Sequence, residues 1–135
     1  MAERTETEIT REILRACNLL SGVTLWRVNS RVLRLPGRGG RERLVRFGGI
    51  KGMSDLIGWR TESRTNGIHT HGPVITFARF LALEVKRPGQ EATPEQRAFL
   101  DAVRTAGGLA AVVHSAANAV EVLSDSMTTH PRQSR

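Results

Sequence analysis

Residues 74–114 read "VITFARFLALEVKRPGQEATPEQRAFLDAVRTAGGLAAVVH", and this stretch decides the fold. The run 74–88 is apolar, rich in strand formers and ends at a proline, which predicts a long strand. A helical pattern follows over 93–108, with Thr93 as its N-cap and two glycines at its end. The apolar run 109–114 predicts a second, short strand. Because a helix joins the two strands, we expect them to be parallel neighbours in one sheet.

The patterns on either side of this stretch place the whole chain in the α/β class. They predict a helix at 5–20, a strand at 24–30, a turn-rich loop or hairpin at 34–43, a short strand at 55–60, a polar loop or hairpin tip at 60–73 and a last helix at 115–124. We expect a mixed central sheet flanked by helices. One domain should span 1–124 and be followed by a disordered tail at 125–135.

Composition narrows the class of protein further. The chain has 135 residues with 39% hydrophobic content, which suits one domain with one core. A single cysteine, Cys17, excludes an internal disulfide and is expected to be a small buried side chain. No apolar run reaches about 18 residues, and the polar start "MAERTETEIT" predicts no signal peptide. These features favour the cytoplasm of a bacterium or of a phage-infected cell, and no membrane association.

Most of the net charge of +7 lies in one segment, which holds seven basic residues and one glutamate between Arg31 and Lys51. Arginine dominates the segment, and its guanidinium matches the geometry of phosphate oxygens. A concentrated basic segment indicates a polyanionic partner, most simply nucleic acid, although a solvated basic loop is the alternative. The expected nucleic-acid contacts are Arg27, Arg31, Arg34, Arg38, Arg41, Arg43, Arg46 and Lys51.

Charge also interrupts the long apolar strand, at Glu84 and Lys86. Residues two apart share a face of a strand, so this carboxylate and ammonium lie side by side. Asp55 follows a glycine-rich segment and begins another strand, and antiparallel pairing would bring it to the same end of the sheet. Two carboxylates beside a lysine favour a Mg²⁺ or Mn²⁺ site. The alternatives are a salt bridge at a fraying strand end and an aspartate in an ordinary turn.

The order of these motifs resembles a known family. Asp55 followed by Glu84-Val85-Lys86 resembles the Asp…Glu-x-Lys signature of the PD-(D/E)XK nuclease superfamily. The segment "GMSDL" at 52–56, the helix opening "TPEQRAFL" and the run "AGGLAAVV" resemble its VRR-NUC branch, the virus-type replication-repair nucleases. Ser54 stands where the superfamily has proline. The resemblance covers roughly residues 5–120 and implies a restriction-endonuclease-like αβββαβ core.

The family resemblance implies a role for each site residue. Asp55, Glu84 and the Val85 carbonyl would bind the metal ion, and Lys86 would position or activate water. A glutamate of the first helix would support the metal site. Glu6 lies on the inward stripe, whereas Glu8 and Glu12 lie off it and Glu8 also suits a capping box with Thr5. Gln96 would orient Lys86 or the water, although a capping box with Thr93 explains it equally well. The implied catalytic set is Glu6, Asp55, Glu84, Lys86 and Gln96.

The implied activity is hydrolysis of DNA phosphodiester bonds. By resemblance to small members of the family, we expect a structure-selective endonuclease for four-way junctions or other branched DNA, acting in replication, recombination or repair as a homodimer. The rival hypotheses are a non-catalytic nucleic-acid-binding module and a small structural protein of a phage particle.

Two further residue types receive structural interpretations. His69 and His71 lack accompanying metal ligands and are interpreted as loop residues. Trp26 and Trp59 lie in predicted strands and are interpreted as core.

Overall fold

A computed structural model describes residues 3–29, 31–47, 50–65 and 72–125, and for Arg31, Val32, Arg46, Phe47 and Asp125 it describes the backbone alone. The elements are α1 (Glu6–Cys17), β1 (Val23–Arg27), β2 (Arg31–Pro36), β3 (Glu42–Phe47), β4 (Leu56–Thr65), β5 (Val74–Val85), α2 (Pro94–Thr105), β6 (Leu109–Val113) and α3 (Ala116–Asp125). The predicted tail and the pair His69 and His71 lie outside the described residues, apart from Asp125 at the start of the tail.

Four strands form the central sheet in the order β1-β4-β5-β6. Strand β4 pairs antiparallel with β1 and β5, while β5 and β6 are parallel and joined by α2. The remaining strands, β2 and β3, form a separate antiparallel hairpin, joined by a short 3₁₀ turn at Arg38–Gly40. The predictions of an α/β fold, of a mixed sheet flanked by helices and of a parallel final strand are therefore confirmed.

Helices α1 and α3 cover one face of the sheet, which we call the α1/α3 face. Alternate residues of β5 point to it, because side chains of a strand alternate between faces. Its core contains Leu81, Leu83 and Val85 of β5, packed with Ile9 and Ile13 of α1 and, from the other elements, with Cys17, Val23, Leu25, Leu56, Leu109, Val113, Ala119 and Leu123. Cys17 is buried as predicted, and burial raises the pKa of its thiol to about 11.

The opposite face, which we call the α2 face, is covered in part. Ala82 of β5 and Ala110 of β6 pack against Leu100 and Val103 of α2. Two other residues of β5 lie on the same face as Ala82: Phe80 toward the start of the strand and Glu84 toward its end. The α2 face therefore combines a compact apolar patch with residues that the core does not require.

Two predictions about strands are wrong. Residues 60–65 are not a loop, because β4 continues to Thr65 and its backbone pairs with β5 through the register Thr65 to Val74. Backbone pairing needs no apolar side chains, so a polar segment extends the strand. Trp26 and Trp59 are not core residues, since each is about two-fifths exposed.

Arg60, which lies in the extended part of β4, joins the sheet to α3. Its side chain is buried on the α1/α3 face, where Nη1 donates to the carbonyl of Leu123 at 2.6 Å and Nη2 to Glu62 Oε1 at 2.7 Å. A cation near the last turn of a helix is stabilised by the carbonyl groups that end there. Arg60 thus fastens α3 to the sheet.

Candidate active site

The site begins where β4 and β5 meet at one end of the sheet. The register pairs Leu56 with Leu83, so the preceding Asp55 lies beside the following Glu84. Backbone contacts hold Asp55 from two sides: its Oδ2 accepts from the N–H of Val85 at 2.9 Å, and its carbonyl accepts from the N–H of Val28 at 2.8 Å. The predicted convergence of two carboxylates at one end of the sheet is therefore seen.

The glycine-rich segment before Asp55 rests on the start of α2. Gly52 has a φ of +80°, and a Cβ built on it would lie 2.5 Å from the carbonyl carbon of Glu95. Glycine is required there for both the left-handed backbone and the close approach. An ion pair between Lys51 Nζ and Glu95 Oε1, at 3.6 Å, joins the same two segments. The approach to Asp55 and the first turn of α2 are thereby held together.

Glu84 is fully buried, although it is a charged side chain at the end of a strand. Its Oε1 accepts from the amide of Gln96 and lies 3.1 Å from Lys86 Nζ. Its Oε2 has no hydrogen-bond partner among the described residues. Burial, and next the negative charge of Asp55, raise the pKa of Glu84 to about 7, while Lys86 opposes the shift.

Lys86 is fixed through its backbone as well as its ammonium group. Its N–H donates to the carbonyl of Val113 at 3.0 Å, and its carbonyl lies 3.1 Å from Nδ1 of His114. The N–H of His114 in turn donates to Asn118 Oδ1 at 3.1 Å. The sequence interpretation gave His114 no role. The available signal was its position directly after β6, since the ends of parallel neighbouring strands lie at one edge of a sheet.

Gln96 has two functions at once. It forms a capping box with Thr93: its backbone N–H donates to Thr93 Oγ1 at 3.2 Å, and its Oε1 accepts from the N–H of Thr93 at 2.8 Å. The other end of the same amide, Nε2, donates to Glu84. The amide therefore reaches the buried carboxylate, whereas the resemblance implied a contact with Lys86 or water.

The structure gives Glu6 and Glu8 of α1 different environments. Glu8 accepts from the N–H and the hydroxyl of Thr5, at 2.8 and 2.9 Å, and these bonds lower the pKa of its carboxyl. Glu8 thus completes the predicted capping box. Glu6 is half-buried in the first turn of α1, and no described hydrogen bond or ion pair joins its carboxylate to Asp55 or Glu84. Its role at the metal site stays a prediction.

The oxygen atoms at the site fit a hard divalent cation. Within the residues that the structure describes, no three side chains of His, Cys, Asp or Glu form a metal-binding group. Two carboxylates are present, and the backbone of Val85 lies beside Asp55, since its N–H donates to Asp55 Oδ2. The partnerless, buried Oε2 of Glu84 is an acceptor that lacks a cation or donor. Two carboxylates and a carbonyl suit Mg²⁺ or Mn²⁺, with water and phosphate completing the coordination.

The predicted nucleic-acid contacts lie mainly on the β2–β3 hairpin, which we call the basic hairpin. Arg38, Arg41 and Arg43 are exposed there, and Arg34 forms an exposed ion pair with Glu42 at 3.3 Å. Arg27 is exposed at the end of β1, and Lys51 lies beside α2. The side chains of Arg31 and Arg46 lie outside the described part of the chain. The hairpin thus exposes at least Arg34, Arg38, Arg41 and Arg43 to solvent.

None of the described helices has the length and apolar character needed to cross a membrane.

A comparison with curated proteins found none that matches this chain. The sequence model of the VRR-NUC domain, in contrast, matches residues 4–117, which include α1, the whole central sheet and α2. The match also spans Asp55, Glu84 and Lys86, and the domain implies a nuclease with DNA as its substrate. The chain therefore belongs to the VRR-NUC family of nucleases and has its restriction-endonuclease-like α/β core.

Proposed function

We propose that the protein is a Mg²⁺- or Mn²⁺-dependent endonuclease that hydrolyses DNA phosphodiester bonds at the site formed by Asp55, Glu84 and Lys86. The observation that supports this most is the environment of Glu84. A buried carboxylate with a partnerless oxygen, a second carboxylate beside it and an ammonium group at 3.1 Å is costly to fold. A bound cation would neutralise the carboxylates, offset that cost and account for the arrangement.

Asp55, Glu84 and the Val85 carbonyl would hold the cation. When bound, such an ion stabilises the charge that develops on the phosphate and makes water a better nucleophile at neutral pH. The hydrogen bond from Val85 N–H fixes one oxygen of Asp55, and Gln96 and Lys86 fix Oε1 of Glu84. The remaining carboxylate oxygens are therefore the ones available to the cation, and they are held before DNA arrives.

Lys86 has the position of a group that handles the attacking water or the phosphate. Its side chain is 15% exposed, so its ammonium can reach solvent while Glu84 holds it. A cation fixed beside a phosphate stabilises the negative charge of the transition state without reorganisation. Glu6, one turn before buried Ile9, remains the proposed carboxylate that supports this site from α1.

The proposed substrate is branched DNA, such as a four-way junction, cut by a homodimer. The exposed arginines of the basic hairpin support contacts to the DNA backbone, because arginine binds phosphate oxygens without reading sequence. A dimer with two-fold symmetry would present two sites to the two strands of a symmetric junction.

Cleavage assays test the enzyme directly. Plasmid DNA and a synthetic four-way junction are incubated with the protein in Mg²⁺, in Mn²⁺ or in EDTA. We expect cleavage with either ion and none in EDTA, and preference for the junction over a linear duplex. Lys86→Ala should reduce the single-turnover rate by about 100-fold or more, the size of effect expected for a lost electrostatic contact in the transition state.

Arg97→Ala is the matched control, because Arg97 is an exposed cation of α2 that pairs only weakly with Glu91, at 3.9 Å. It should cut at the rate of the unaltered protein. Equal rates for Lys86→Ala and the unaltered protein would refute the proposed site. Salt-dependent DNA binding without cleavage under any metal would instead identify a non-catalytic binding module.

A further inference from the structure

Three aromatic side chains lie partly open on the α2 face. Trp26 is 42% exposed, Trp59 is 40% exposed and Phe80 is 41% exposed. The register pairs Trp59 with Phe80 and Trp26 with Ile57, so the three rings share one face with Ile57. The two tryptophans meet edge to face, with ring centroids 5.4 Å apart. We call this set of three rings the aromatic platform.

The platform is continuous with the candidate active site. Trp59 follows Asp55 by four residues, and Phe80 precedes Glu84 by four, so all four side chains lie on the α2 face. Four residues of strand span about 13 Å, which one DNA strand covers with about four stacked nucleotides. A strand whose phosphate lies at the carboxylates therefore reaches the platform within a few nucleotides.

Packing does not account for these rings. Helix α2 packs on Ala82 and Ala110 through Leu100 and Val103, at the side of the sheet where β5 and β6 lie. The platform lies on β1, β4 and β5, and its Phe80 borders the cluster, since Phe80 and Val103 line one cavity. A group of large aromatic side chains left two-fifths exposed on a basic chain of net charge +7 indicates a binding surface.

We propose that the aromatic platform stacks unpaired bases of the DNA strand that enters the active site, so that the protein selects DNA with single-stranded character beside the cut. This inference rests on the proposed nuclease function. DNA is the favoured occupant because the platform adjoins the carboxylates on one face and the chain carries a strong positive charge. Aromatic rings stack on any base, whereas the faces of bases inside a duplex are already occupied. The platform would thus recognise frayed, looped or branched DNA without reading its sequence.

The chain offers a direct probe of this surface. Trp26 and Trp59 are its only tryptophans and it has no tyrosine, so its intrinsic emission reports the platform. In EDTA, where cleavage is not expected, a single-stranded oligonucleotide should quench the emission strongly. A blunt duplex of the same sequence should quench it much less. Trp59→Phe, which keeps an aromatic ring, shows how much of the quenching belongs to Trp59.

Affinity measurements on labelled DNA provide the second readout. Trp59→Ala and Phe80→Ala should each bind single-stranded DNA at least about fivefold more weakly, from the known range of base–aromatic stacking. Their affinity for blunt duplex should not change, and Trp59→Phe should retain most of the single-strand affinity. Leu19→Ala is the control, because Leu19 is an apolar side chain that is 87% exposed elsewhere.

Two results would overturn the proposal. One is equal quenching and equal affinity for single-stranded and duplex DNA in all variants. The other is an emission change that follows protein concentration without DNA, together with sedimentation as a dimer, which would make the platform a contact between two copies. Cleavage distinguishes the two hypotheses: cutting of duplex with no platform effect refutes only the platform, whereas single-strand stacking without cutting refutes only the nuclease function.

Discussion

The carboxylate site and the basic hairpin differ in how many parts of the chain hold each side chain. Glu84 lies on β5 and is held by Gln96 of α2 and by Lys86, while Asp55 is held by the backbone of Val85 and of Val28. The arginines of the basic hairpin lie on β2, on β3 and in the turn between them, and among the described residues these two strands pair only with each other. Substitutions at the site should therefore act on several elements together, and those on the hairpin one charge at a time.

The largest expected effect is on DNA cleavage when Asp55 is changed. Asp55→Asn keeps the acceptor for Val85 N–H but removes the charge that would hold the proposed divalent cation. We expect the single-turnover cleavage rate to fall by at least about 1,000-fold, since metal binding supplies several kcal/mol of transition-state stabilisation. Asp101→Asn is the control, because Asp101 is an exposed aspartate that pairs with Arg104. Retained cleavage by Asp55→Asn would remove Asp55 from the site.

The next effect concerns stability and has the opposite sign. Glu84→Gln replaces a buried charge with a neutral side chain of the same shape, so it should abolish cleavage and stabilise the fold. At pH 8 without metal we expect a gain of about 1–3 kcal/mol in the free energy of unfolding, because the raised pKa of Glu84 reports how strongly the fold disfavours its charge. Urea unfolding measures the gain. A loss of stability would mean that the ion pair with Lys86 outweighs the burial.

A smaller effect is the pH dependence of the metal-free protein. The folded-state pKa of Glu84, about 7, lies above its ordinary value of 4.5, so between these values the folded state binds more protons than the unfolded chain. Stability should therefore fall as pH rises through this window, by at most about 1.4 kcal/mol per pH unit, and become level above it. Added Mg²⁺ should restore stability mainly above pH 7, where Glu84 is ionised.

The same pH series on Glu84→Gln isolates this contribution. Glu8 and Glu95 have lowered pKa values, from the bonds of Glu8 to Thr5 and from the backbone N–H of Glu95, so their stabilisation is lost as pH falls. Their contribution is common to both proteins and cancels in the difference. If stability changes with pH at the same rate in the two proteins between pH 4.5 and 7, the fold does not disfavour a negative charge at position 84.

The smallest expected effect belongs to the basic hairpin. Arg38→Gln, Arg41→Gln and Arg43→Gln should each reduce the slope of log affinity against log salt by about 1. The reductions should add, because we expect the three exposed arginines to contact separate phosphates. Affinity for all DNA sequences should fall alike, while the cleavage rate at saturating protein should be unchanged. An unchanged salt slope in the triple variant would show that DNA is held elsewhere.

Sequence reasoning predicted the parts of the fold that local patterns determine. The capping boxes at Thr5 and Thr93, the long strand predicted at 74–88 and the crossover helix α2 each have a signal of a few adjacent residues. The structure shows all of them, with the strand at Val74–Val85. Antiparallel pairing of β4 with β5 was the condition under which sequence reasoning brought Asp55 and Glu84 to the same end of the sheet, and the structure shows that pairing.

The features that sequence reasoning missed depend on which helix packs over which strand and on which strands pair. Strand alternation places Trp59 and Phe80 on a face, but the position of α2 over β5 and β6 decides that their rings stay open. Arg60 looked like the start of a polar loop and is buried because α3 ends above it. His114 gained its contact with Lys86 only through the parallel pairing of β5 and β6.

The contact between Gln96 and Glu84 explains why position 96 carries an amide and not a carboxylic acid. A capping box accepts glutamate as readily as glutamine, so the helix alone would tolerate either residue. Glu84, however, needs a donor, and an ionised glutamate can only accept. Glutamate at 96 would still cap α2 but would bring a third negative charge against Asp55 and Glu84. The choice between two residues that look interchangeable at a helix start is thus made by the strand that the helix covers.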